Sequence, residues 1–88
     1  MLTLGRLFDD EGKPCFEAHS DEQELFIELD SSALLKLGDG ALDEKLHAAL
    51  DAKRSQIRAA AQNLLNKQFV QRADDGSVRV IISAIDIV

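Results

Sequence analysis

Residues 42–67, LDEKLHAALDAKRSQIRAAAQNLLNK, decide the fold, because this run contains neither Gly nor Pro and consists mostly of good helix formers. At about 100° per residue, its apolar side chains fall within about 60° of a common line. These side chains are Leu46, Ala49, Leu50, Ile57, Ala60, Ala61 and Leu64. The run therefore predicts one long amphipathic helix whose apolar stripe packs on one face of a sheet.

The segment before this helix predicts three strands. Apolar side chains alternate with polar ones in residues 2–8, 15–18 and 23–29, and turn formers separate these ranges. In the first strand, the alternation places Leu2, Leu4 and Phe8 on one side of the sheet and Leu7 on the other. Consecutive strands joined by short turns form an antiparallel meander.

A short helix is predicted between the meander and the long helix. The apolar period changes after Asp30, so residues 32–37 predict this helix, and Gly38 is the expected left-handed residue after its end. Asp43 is the expected cap of the long helix, and Asp39 is the alternative.

The last predicted element is a strand that returns to the sheet. Residues 77–83 contain VRVII, a strong β-forming run. Residues 68–72 fit either a short additional strand or the frayed end of the long helix. The predicted fold is therefore α+β, with the order βββααβ and an optional short strand near 69–72, in a single domain over residues 1–88.

Composition and charge narrow the classes of function. The net charge of −6 argues against nucleic-acid binding, because an acidic chain is repelled by phosphate backbones, and the chain lacks the long apolar run that a membrane span needs. Acidic residues outnumber basic ones 12 to 3 in residues 1–44, whereas basic residues outnumber acidic ones 7 to 4 in residues 45–88.

The single cysteine, Cys15, excludes an internal disulfide, and no metal or cofactor motif is present. The start lacks a signal-peptide pattern, so the expected location is the cytoplasm.

The order of these elements allows one comparison with a known family. The run LDAKRSQIRAAA, residues 50–61, with Arg54 three positions before Ile57, is followed by GSVRV at residues 76–80. The chain thereby resembles a family of small bacterial proteins catalogued as DUF1488, a domain of unknown function. The resemblance implies a small α+β domain and carries no activity, because the family has no assigned catalytic residues.

The flank of the long helix is one candidate contact surface. His47, Arg54 and Arg58 lie beside the apolar stripe, and an arginine side chain can bind two carboxylate or phosphate oxygens at once. The alternative is a solvated face on which Asp51 pairs with His47 or with Arg54 at little energetic gain.

Lys53 lies close to the centre of the apolar stripe, an unusual position for a cation. The expectation is that its stem packs while its ammonium group reaches solvent or a sheet carboxylate such as Glu17 or Glu28. The alternative is an amine in a shallow pocket.

The reverse side of the sheet is the second candidate surface. Successive side chains of a strand alternate, so Phe26 and Ile81 point away from the long helix. With only two helices predicted, this side has no cover, which predicts a partner or a homodimer.

Two functions follow from these surfaces. The preferred one is a small interaction or regulatory module, not an enzyme, that binds another protein or itself through the sheet face or the arginine flank. The alternative is a nucleic-acid-associated accessory domain whose cations form one continuous strip. Its candidate residues are Arg54, Arg58, Lys67, Arg72 and Arg79.

Overall fold

The computed structural model describes residues 2–87 and shows an α+β domain with one five-stranded sheet. The strands are β1 (Leu2–Asp10), β2 (Lys13–Ser20), β3 (Gln23–Leu29), β4 (Gln71–Arg72) and β5 (Val78–Ile82). The helices are α1 (Ser31–Gly38), α2 (Asp43–Ala52) and α3 (Arg54–Asn66), and a 3-10 helix, Ala84–Asp86, follows β5.

The sheet is mixed, with the strand order β1-β2-β3-β5-β4. The predicted antiparallel meander of β1, β2 and β3 is confirmed. The returning strand β5 pairs in parallel with β3, with Leu25 opposite Val78 and Leu29 opposite Ile82. A parallel pair needs a long crossover, and the helices between β3 and β5 supply it. The optional short strand is present as β4, which pairs only with Val78 and Arg79.

A β-bulge in β1 changes which side chains face the core. Leu4 pairs with Ala18, but Leu7 pairs with Phe16, so β1 has one residue more than β2 in this interval. The bulge puts Leu7 with Leu4 against the core, while Phe8 lies on the other face. The predicted sides of Leu7 and Phe8 were therefore wrong, because simple alternation does not include an inserted residue.

The hydrophobic core lies between the sheet and the helices. In β3 and β5, buried side chains alternate with partly exposed ones, so one face of the sheet is covered. The helix α3 contributes four buried residues to this core, which are Ile57, Ala60, Ala61 and Leu64. The predicted apolar stripe is thus buried as expected over this half of the run.

The prediction of one unbroken helix over residues 42–67 was wrong. The helix is interrupted at Lys53, whose φ of −113° and ψ of 24° lie outside the helical values. The N–H of Lys53 donates to Leu50 O, and its own carbonyl accepts from Ile57 N, so one helix ends and the next begins there. The helix α2 packs against α1, whereas α3 packs against β1 and β5. Because the two halves have different partners, a straight rod does not satisfy both.

The predicted helix termini need two corrections. Asp30 caps α1 by accepting from Ala33 N at 3.0 Å, but the left-handed residue after this helix is Asp39, not Gly38. The residue before α2 is Leu42, which makes no capping hydrogen bond with its side chain. Asp43 has a φ of 53°, so it begins α2 in a left-handed conformation and does not cap it.

Candidate protein-interaction surfaces

The polar flank of the helices follows the free edge of β1. His47 Nε2 lies 2.8 Å from Asp9 Oδ1 near one end of this edge. Farther along, Arg54 Nη1 donates to Gly5 O at 2.8 Å and Arg58 Nε donates to Leu2 O at 2.9 Å. At the end of the strand, Gln62 Oε1 accepts from Leu2 N at 2.9 Å.

The flank therefore satisfies backbone groups of β1 that have no neighbouring strand. Residues 54, 58 and 62 are spaced by four, so they form one row on α3. Gly5 lies within the β-bulge, where its carbonyl accepts from Arg54. An edge covered in this way is a poor template for pairing with another strand. The predicted pair of Asp51 with Arg54 is present at 2.5 Å, whereas His47 pairs with Asp9 and not with Asp51.

The second surface is the outer face of the sheet, which is the face opposite the helices. Phe26 and Ile81 lie there, half-buried. Phe8 joins them, because the bulge turns it outward, and its ring meets that of Phe26 edge to face at 6.2 Å between centroids. The guanidinium of Arg79 lies 5.8 Å from the Phe26 centroid, so part of the aromatic surface is covered by the protein's own side chains.

A charge network surrounds Arg79 on the outer face. Arg79 Nη1 donates to Glu28 Oε2 at 3.1 Å and to Asp10 Oδ2 at 3.2 Å, and Lys13 Nζ lies 3.9 Å from Glu28 Oε1. Burial acts to lower the pKa of Arg79, but the hydrogen bonds to Glu28 and Asp10 outweigh it and raise the pKa above its ordinary value. Cys15 lies beneath these groups, fully buried, and burial raises its thiol pKa to about 11. This thiol is therefore protonated at neutral pH.

The third surface is a groove between α1 and α2, which we call the corner groove. Its volume is about 270 Å³, and its lining residues are Ser31, Leu34, Leu35, Gly40, Ala41, Leu42 and Leu46. Leu35 and Leu42 are 70% and 73% exposed. An exposed leucine on its own is ordinary, but two that line one apolar groove form a candidate contact surface.

The local backbone explains why this groove forms. Gly38 allows α1 and α2 to approach closely, since a Cβ at this position would lie 2.6 Å from Leu46 Cδ1. Asp39 is left-handed and donates its N–H to Leu35 O at 3.1 Å, and Gly40, with a φ of 81°, continues the reversal. The chain then enters α2 at Leu42 with the leucine side chain outside the core.

The corner groove has acidic flanks. Asp39 precedes Gly40 in the sequence, and Asp43 and Glu44 follow Leu42. All three carboxylates are exposed, and within residues 2–87 none of them makes an ion pair. Lys45 is the one cation in this segment. The sequence analysis did not identify this site. The available signal was the pair Leu34 and Leu35, because a short helix that turns Ala33 and Leu37 inward can bury only part of this pair.

The structure separates the cations of the proposed nucleic-acid strip. Arg54 and Arg58 lie along β1, whereas Arg72 belongs to β4 at the opposite edge of the sheet. Arg79 is on the outer face between two carboxylates. These four arginines therefore do not form one continuous strip.

Lys53 is half-exposed at the break between α2 and α3. The suggested sheet partners Glu17 and Glu28 lie on the outer face, away from the helices, where they pair with Arg6, Lys13 and Arg79. An ion pair between Lys53 and either carboxylate was therefore a wrong expectation.

Comparison of the chain with protein-family models, with curated proteins and with solved structures gave no match. The resemblance to DUF1488 therefore stays a prediction. No helix within residues 2–87 is both long and apolar enough to cross a bilayer. The same residues contain no group of three or more His, Cys, Asp and Glu side chains placed to hold a metal ion.

Proposed function

We propose that the chain is a small cytoplasmic protein-interaction module whose principal binding surface is the corner groove. One observation supports this most directly: Leu35 and Leu42 are mostly exposed and line the same groove. A large apolar side chain at the start of a helix, with no capping bond, contributes little to folding. Burial against a partner would remove both leucines from water, which is favourable by about 25 cal/mol per Å² of apolar surface.

Binding is proposed in preference to catalysis, and the arginine flank is not included in the binding surface. Arg54 and Arg58 already donate to Gly5 O and Leu2 O, so a partner would have to compete with these bonds. The nucleic-acid alternative has less support, because Arg72 and the pair Arg54 and Arg58 occupy opposite edges of the sheet.

The test uses the double variant Leu35→Asp, Leu42→Asp in a capture experiment followed by reconstitution with the purified partner. Ile85→Asp is the matched control, because Ile85 is 93% exposed and does not line the groove. The expected result is one partner that binds the wild type and Ile85→Asp but not the double variant. A partner set that is the same for all three proteins would contradict the proposal.

Self-association through the outer face is the second candidate. Phe8, Phe26 and Ile81 lie on the same outer face of the sheet, and the Phe8 and Phe26 rings meet edge to face there, which favours it. Sedimentation of the wild type, Phe26→Asp and Ile81→Asp tests it. A wild-type dimer that both variants convert to monomers supports the candidate, and a monomer in all three samples removes it.

A further inference from the structure

The geometry of the corner groove points to the kind of partner. We infer that the groove binds a basic amphipathic helix of another protein, an inference that rests on the proposed function. The groove lies between two helices, and Leu42, the residue before α2, accepts a hydrogen bond at its carbonyl from Leu46 N in the first turn. A groove between two helices is the shape into which the apolar side of a third helix packs.

The charge around the groove determines which charge the polar side of the partner helix should carry. Asp39, Asp43 and Glu44 are exposed and unpaired in the described chain, and only Lys45 opposes them. The ammonium of Lys36 donates to Ala84 O and Ile87 O, which do not line the groove, so this cation is held by the 3-10 helix region and not by the three carboxylates. A partner with Lys or Arg beside its apolar stripe therefore gains attraction at both flanks.

A second copy of this chain is the less suitable occupant. Two copies facing each other through the corner groove would bring Asp39, Asp43 and Glu44 of one copy against the same acids of the other. Like charges in contact oppose association, and the net charge of −6 on each chain adds to this repulsion. The inference therefore assigns the groove to a different, basic chain.

The experiment measures fluorescence anisotropy of labelled model peptides with the full chain. The main probe is a Leu/Lys peptide of about 18 residues with leucines at helical spacing. A Leu/Glu peptide with the same leucine positions tests charge, and a Leu/Lys peptide of scrambled order tests amphipathicity. The protein variants are Leu35→Ser with Leu42→Ser, Asp43→Asn with Glu44→Gln, and the control Ile85→Ser.

The expected result is saturable 1:1 binding of the Leu/Lys peptide that the double serine variant weakens at least about tenfold. Serine adds no charge, so this loss reports apolar contact. The Asp43→Asn, Glu44→Gln variant should weaken binding about threefold to tenfold, as should a change from about 50 to about 300 mM salt. The Ile85→Ser control should bind like the wild type, and the Leu/Glu and scrambled peptides should bind at least about tenfold more weakly.

Several results would overturn the inference. One is equal binding to the wild type and to the double serine variant, which would indicate attraction by net charge alone. Others are equal affinity for the Leu/Glu peptide, no binding of the Leu/Lys peptide, or a wild-type dimer that the double serine variant dissociates. Loss of the natural partner on substitution of Leu35 and Leu42, together with any of these peptide results, would leave the proposed function standing and remove only the basic helix.

Discussion

Replacement of Arg54 by Met should lower the free energy of unfolding by about 2 to 3 kcal/mol, because this side chain holds the edge of β1. The largest contribution is the charged hydrogen bond to Gly5 O at 2.8 Å, which at a partly exposed site is about 1.5 kcal/mol. The guanidinium also lies 5.2 Å from the buried Phe16 ring, which adds about 0.5 to 1 kcal/mol. The exposed pair with Asp51 adds less than about 0.5 kcal/mol.

Arg6→Met is the matched control. Arg6 also stacks on a phenylalanine, at 5.3 Å from the Phe8 centroid, and also pairs with a carboxylate, Glu17, at 3.2 Å. However, the Arg6 side chain is 70% exposed, whereas that of Arg54 is 37% exposed, and within residues 2–87 Arg6 has no hydrogen bond to a backbone carbonyl. Arg6→Met should therefore cost less than about 1 kcal/mol.

Urea unfolding followed by far-ultraviolet circular dichroism measures both variants, since the chain has no Trp or Tyr for fluorescence. The melting temperature should fall by about 10 to 15 °C for Arg54→Met and by less than about 5 °C for Arg6→Met. If the two variants lose the same free energy to within about 0.5 kcal/mol, the Arg54 contact with β1 is not a stabilising one. Arg54 would then be free to bind a partner, as a contact surface on the flank of the long helix requires.

Three further results are expected. Hydrogen bonds from the hydroxyls of Ser32 and Ser83 and from Ala33 N lower the pKa of Asp30 from 3.8 to about 2. The contribution of Asp30 to the free energy of unfolding is therefore complete above about pH 4 and is lost as the pH falls to about 2. The urea midpoints of the wild type and Asp30→Asn should converge at about pH 2. A difference between the two midpoints that does not change with pH would contradict this. Iodoacetamide at pH 8 should modify native Cys15 at least about a hundredfold more slowly than the unfolded chain, since burial raises the thiol pKa from 9.0 to about 11; rapid native labelling would refute this. Gly38→Ala should change the free energy of unfolding by less than about 1 kcal/mol, because the gain in helix propensity is offset by the close contact of the new Cβ with Leu46 Cδ1. In a Leu46→Ala background, where this contact is removed, the same substitution should stabilise the protein by about 0.5 to 1 kcal/mol. The same effect in both backgrounds would show that no such contact exists.

The strands were predictable because their pattern is local. Alternation places Leu25, Ile27 and Leu29 on one face of β3, and the structure buries all three. The β-bulge in β1 does not follow from alternation alone, although Gly5 inside an otherwise regular strand pattern was the available signal, because glycine within a strand often marks a bulge. The direction of β5 was also undetermined, since it depends on where the crossover ends and not on the residues of β5.

The helix flank shows how a correct pattern can have a different meaning. The spacing of Arg54 and Arg58 placed them together beside the apolar stripe, and they do share one row. The sequence alone does not give the position of β1 relative to that row, so it does not show that both arginines donate hydrogen bonds to backbone carbonyls of β1. Gln62 continues the row and was missed because a single glutamine on a helix surface carries no signal.

The break at Lys53 connects the missed features to one cause. Helix propensity is uniform through Ala52, Lys53 and Arg54, so no local preference ends the helix there. The break is set by tertiary packing, because α2 contacts α1, where Leu46 lies beside Gly38, while α3 contacts the sheet. A straight helix would place both halves of the run against the sheet, with the polar flank as one continuous line. Because α2 instead packs on α1, it encloses the corner groove between itself and α1. The surface that we propose for binding thus exists because the run does not remain a single rod.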